Sequence, residues 1–218
     1  MEILQQLLGL GAGEIIGITG LAVPNLTRYT LDFSLHDTEA CGVCRKARAQ
    51  QCNHETMKVH PLNPIAVFAL HEWISSFPKN KRINFPNCDY IFADAENMYA
   101  SRKIAFCDIT CSESRYVNPG TGKYPQGKRA YVLSQMESLA GWLMKNSLLR
   151  HYISTATDRR MIFGVRYSDR NPANKATAAM QSFSRTPSST ASTITSQQYI
   201  DNIPFEYVEV SYPATLTW

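Results

Sequence analysis

Four side chains able to bind a metal fall within fourteen residues of this chain: Cys41, Cys44, Cys52 and His54, written Cys-x2-Cys-x7-Cys-x-His. A tight turn aims both sulfurs of Cys-x-x-Cys at one cation, and Gly42 suits that turn. The spacing predicts a zinc-binding loop over residues 38–60, with Zn2+ as the expected cofactor. His60, Cys107 and Cys111 are substitutes for the completing pair if the second half of the site comes from the strand near Phe106. Two other readings use the same residues. A strand leading into Cys-x-x-Cys at a helix start is also how dithiol oxidoreductases lower a thiol pKa. Here, however, the segment shows no parallel strand returning after it. Six cysteines could instead cross-link subunits in a particle that works outside a reducing cell.

At 218 residues the chain can bury a core without staples, so the cysteines need another purpose. Charged residues make up 18%, below the roughly 25% of ordinary soluble domains. Ser, Thr, Asn and Gln take their place, a surface suited to contact with neighbouring subunits. A net charge of +4 permits a nucleic-acid partner without requiring one. The apolar start is interrupted by Glu2, Gln5, Gln6, Glu14 and glycines, so neither a membrane span nor a secretory signal is expected. Synthesis in a reducing cytoplasm follows, with a virion as a destination compatible with the composition.

Periodicity predicts a single α+β domain: a mixed or antiparallel sheet packed on one long central helix over residues 130–153. Val132, Met136, Leu139, Leu143, Leu149 and Ile153 form its stripe, with a gap at Asn146. A short helix is expected over residues 3–10, ended by Gly9, Gly11 and Gly13. Strict alternation predicts one strand over 27–36, and Asn63-Pro64 predicts a helix running to Phe77. Strands are expected over 102–109, 161–167 and 205–212. Residues 171–198 lack large apolar side chains and read as a flexible or partner-ordered arm, richest in Ser and Thr from Ser182 to Ser196.

The loop Asn118-Pro-Gly-Thr-Gly-Lys-Tyr imitates a phosphate cradle and departs from it in detail. Tyr124 stands where Ser or Thr is needed, and Pro125 opposes a helix start there. His71-Glu72 lacks the second histidine of a metalloprotease helix, and Asp89, Asp94 and Glu96 read as turn chemistry. Three basic runs remain: Arg45, Lys46 and Arg48; Lys79, Lys81 and Arg82; and Lys123, Lys128 and Arg129, the last in a segment expected to be an exposed loop. On one face they would make a nucleic-acid footprint.

These features predict a non-enzymatic structural subunit of a larger assembly, such as a viral particle or tail component, whose partners are other protein subunits. The alternative is a zinc-stabilised nucleic-acid-binding subunit. The third reading is the dithiol oxidoreductase.

Overall fold

A computed structural model describes residues 3–38, 41–50, 52–82, 86–95, 102–112, 114–118, 124–166 and 195–218. The chain is mixed α+β, in three layers. The middle layer is a seven-stranded sheet, order β1-β4-β5-β6-β7-β9-β8, formed by β1 (Asn25–Tyr29), β4 (Ile65–Ala69), β5 (Tyr90–Asp94), β6 (Lys103–Thr110), β7 (Asp158–Val165), β8 (Thr195–Ile200) and β9 (Ile203–Ser211). Strands β6, β7 and β9 run parallel and their other neighbours antiparallel. One face carries helices α1 (Ile3–Ile16), α3 (Leu70–Ser75), α6 (Gly127–Leu143) and α7 (Ser147–Ser154). The other carries a small sheet, order β10-β3-β2, made of β2 (Phe33–His36), β3 (Glu55–His60) and β10 (Thr215–Thr217). Three short helices, α2 (Gly42–Lys46), α4 (Lys79–Arg82) and α5 (Ser114–Val117), lie in the connections.

Burial on both sides follows from the strand period of two. In β6, Ile104 and Phe106 enter the core beneath the helices, while Ala105, Cys107 and Ile109 enter the core between the sheets. Val132, Met136, Leu139 and Leu143 of α6 supply the helical side of the first core. Met57 and Val59 of β3, with Leu216 and Trp218, close the second.

The expected 130–153 helix is two helices. The first ends at Leu143, and Asn146 caps the second, its Oδ1 accepting from the amides of Leu148 at 3.1 Å and Leu149 at 3.0 Å. The gap in the apolar stripe therefore marks a break. Residues 27–36 also divide, because β1 pairs with β4 in the large sheet and β2 with β3 in the small one. The predicted helix after Pro64 begins as strand β4: Ile65, Ala66, Val67 and Phe68 are all buried, as a central strand requires, and only Leu70 onward is helical. Part of the expected arm, residues 195–198, belongs to β8, and 171–194 lie outside the described residues. The segment expected to be an exposed loop before residue 129 includes α5, and Lys128 and Arg129 stand in the first turn of α6.

Helix α1 runs through the glycines that were expected to stop it. Added Cβ atoms would meet Val23 Cγ1 at 2.8 Å from Gly9, Leu149 Cδ1 from Gly11 and the Ile18 carbonyl oxygen at 2.6 Å from Gly13. Their cost to helix propensity, about 1 kcal/mol each, is offset by this close approach. At Gly13 the obstacle is backbone and cannot rotate away. Gly13→Ala should therefore destabilise the fold by about 1–3 kcal/mol; an unchanged urea midpoint would contradict that packing.

Candidate metal centre

Strands β2 and β3 are joined by the cysteine segment, and the turn at its centre is built locally. Cys41 stands at the N-cap of α2, where its carbonyl accepts from the Arg45 amide at 2.8 Å. The helix stops after Lys46. Arg48 takes a left-handed backbone, φ 60°, and the Ala49 amide returns to the Cys44 carbonyl at 3.0 Å. The chain thereby forms a hook that brings Cys52 and His54 back to Cys41 and Cys44.

The donor atoms of Cys41, Cys44, Cys52 and His54 all lie within 4.8 Å of one another. Nδ1 of His54 is 3.5 Å from Cys41 Sγ, 3.6 Å from Cys44 Sγ and 3.5 Å from Cys52 Sγ, and the Cys44 and Cys52 sulfurs are 3.9 Å apart. A tetrahedron with Zn–S near 2.3 Å and Zn–N near 2.0–2.1 Å has S···N edges of about 3.6 Å and S···S edges of about 3.8 Å. The arrangement suits a metal ion. The three cysteines are buried and His54 is half-buried.

Backbone amides support the thiolates. The Asn53 amide donates to Cys44 Sγ at 3.3 Å. Burial opposes ionisation of Cys41, but hydrogen bonds from the amides of Cys44 and Val43 outweigh it and bring its pKa below the usual thiol value. Burial dominates at Cys52, which is pushed up to about 11 despite a bond from the His54 amide. A bound cation would reverse that preference, since thiolates are the metal ligands.

Of the substitute donors, one joins the cluster. Cys111, just beyond β6, places Sγ 3.7 Å from His54 Nδ1 and packs with Cys41, Cys44 and Cys52. Cys107 is buried in the core between the sheets, and His60 is exposed with its Nδ1 2.6 Å from Asp32 Oδ1. Neither reaches the site.

Asp37 and Asp89 bind the surroundings together, and sequence reasoning missed both roles. Asp37 accepts the Cys111 amide on Oδ2 at 2.6 Å and the Cys52 amide on its carbonyl at 3.3 Å, so one buried residue fastens both halves of the cluster. Asp89 accepts from the Ile109 amide at 2.9 Å and the Thr38 hydroxyl at 2.7 Å. Its type and spacing gave no hint of this, because the partners come from distant segments.

Burial raises the Asp89 carboxyl from 3.8 to about 6; the Ile109 amide and Thr38 hydroxyl oppose the rise, Asp37 adds to it and Lys128 opposes it. The folded protein binds this proton more tightly than the unfolded chain does. The resulting stability is fully present below the unfolded value of 3.8 and is lost as pH rises through about 6. The difference is on the order of 3 kcal/mol. Asp89→Asn should flatten the pH dependence of the urea midpoint across that window, and an unaltered slope would refute the assignment.

The basic candidates do not share one state. Arg45, Lys46 and Arg48 are exposed on the cysteine loop, and Lys79 and Lys81 are exposed on α4 with Arg82 at its end. Lys128 Nζ donates to Thr110 Oγ1 at 2.8 Å, and Arg129 is held in an ion pair with Glu209. Lys123 lies outside the described residues. Among the described residues no helix is long and apolar enough to cross a membrane. Comparison with protein-family models, curated proteins and solved structures gave no match.

Proposed function

We propose that this chain is a non-enzymatic assembly subunit, folded around a structural zinc and joined to neighbouring subunits through the open edge of its large sheet. The zinc reading rests on the donor geometry. Cys52 and His54 crowd the Cys41/Cys44 pair from both sides, which suits a four-ligand ion better than a dithiol exchanging with a substrate.

The observation that carries the assembly reading is strand β8, last in the sheet order among the described residues. Its sequence, Thr-Ser-Gln-Gln-Tyr-Ile, has no charge and no proline. Edges of monomeric proteins are commonly guarded by such residues. Asp201 and Asn202, with φ of 50° and 66°, form the two-residue turn to β9, the signature of a type I′ hairpin. In that turn Ile200 and Ile203 make the first hydrogen-bonded pair, so Gln198 bonds to Phe205 while the amides of Gln197 and Tyr199 face away from β9, where no strand lies among the described residues. Tyr199 is also exposed.

Sedimentation velocity of the full chain should show association that Gln197→Pro abolishes, because that proline removes an outward amide. Gln198→Pro should instead break the hairpin and lower the melting temperature. A wild-type protein that stays a monodisperse monomer at high concentration would count against the reading.

A second reading, nucleic-acid binding, is favoured by Arg45, Lys46 and Arg48, which stand exposed on the metal loop. Three phosphate contacts on duplex DNA would make log K fall with log salt at a slope of about −3. Salt-independent affinity, or none, removes it.

A further inference from the structure

Four donors lie within 4.8 Å of one another, as many as a tetrahedral zinc accepts, and a fifth packs against them. The fifth, Cys111, is no bystander in position. Its sulfur is as close to His54 Nδ1, at 3.7 Å, as the ligand sulfurs are to within a few tenths of an ångström, and it also contacts the sulfurs of Cys41 and Cys52. Its backbone is fixed by Asp37, whose main chain also holds Cys52. It comes from the end of β6, in the large sheet, whereas the other four belong to the β2–β3 connection.

We propose that zinc is held by Cys41, Cys44, Cys52 and His54, and that Cys111 is a reserve donor that takes the fourth position whenever His54 leaves it. This rests on the zinc reading above. Two observations support His54 as the resting ligand: its Nδ1 distances match tetrahedral edges, and backbone amides are aimed at Cys41, Cys44 and Cys52. When His54 departs, the Cys111 thiol gives its proton to solvent buffer and its sulfur bonds the ion. The consequence is a centre closed twice over. A catalytic zinc needs a position open to water, and here a second protein donor stands beside that position, 3.7 Å from His54 Nδ1.

The test uses the full chain loaded with zinc alone, with zinc per chain, zinc K-edge absorption and release to a chelator as readouts. Wild type and Cys111→Ala should each hold one zinc with three sulfurs and one nitrogen. His54→Ala should hold one zinc with four sulfurs. Release from either single variant should stay within about ten-fold of wild type, and the double variant should release more than about a hundred-fold faster. Three sulfurs and a water oxygen in His54→Ala, or release as fast as from the double variant, would overturn the proposal while leaving the zinc reading intact. If His54→Ala does not fold, His54→Asn gives the same sulfur count, and failure of both to fold also overturns it, since a reserve donor has to sustain the fold. Wild-type protein that takes up no zinc removes the zinc reading itself.

Discussion

Replacing Cys52 with alanine in a Cys111→Ala background, where no reserve thiol remains, is expected to abolish stoichiometric zinc binding and to lower the melting temperature by roughly 10–20 °C. Zinc contributes about 10–16 kcal/mol in isolated finger peptides, where the apo chain has no other core. Here two apolar cores persist without the metal, one under the helices and one between the sheets. The loss should therefore be confined to the corner where the β2–β3 connection meets the end of β6, about 5 kcal/mol in scale. Within that corner Cys52 is the member whose removal does most. It is 1% exposed, its sulfur faces Cys44 and His54, and its amide is tied to Asp37. Calorimetry of wild type before and after chelation should reproduce the same shift, while the Cys52→Ala, Cys111→Ala double variant should no longer respond to chelator. A variant that melts with the wild type, or still binds one equivalent of zinc tightly, would refute the staple.

The metal cluster was legible because it is local: three thiols and an imidazole within fourteen residues leave few ways to arrange themselves. Cys111 was visible only as a substitute, since its place depends on β6 ending beside the loop, a long-range fact that spacing cannot carry. Strand β6 itself was legible from its apolar run. The helix expected after Pro64 was misplaced for a related reason: a short apolar run that is buried on both faces has no alternation to separate it from a helix. Strand β8 shows the opposite failure. Its polar composition reads as an arm, yet Asp201-Asn202 was available as a turn signal between two apolar-ended segments, Tyr199-Ile200 and Ile203. The sheet order then supplies the hydrogen-bonded partner that its composition lacks.

Arg129 was grouped with the basic residues of the phosphate-contacting reading, and its surroundings point to a different task. Its Nε and Nη2 donate to the two carboxylate oxygens of Glu209 at 2.6 and 2.9 Å, a two-bond fork, and Nη1 donates to Asn118 at 2.9 Å. The Glu209 side chain is only 5% exposed and also accepts from the Tyr207 hydroxyl at 3.4 Å. Burial pushes the Tyr207 phenol up, and the Glu209 carboxylate adds to it, so the phenol stays a donor. Arg129→Ala leaves that carboxylate buried without its cation, which costs about 3–5 kcal/mol. The melting temperature should fall by roughly 10 °C. Arg129→Lys should recover only part, because an ammonium cannot make the fork. Arg129→Ala combined with Glu209→Gln should recover most of it, because the amide removes the stranded charge. A phosphate-contacting arginine predicts the reverse pattern: unchanged stability in Arg129→Ala and no rescue from position 209. If melting showed that pattern, the ion pair would have no part in holding α6 to β9, and the third basic run would return to the nucleic-acid reading.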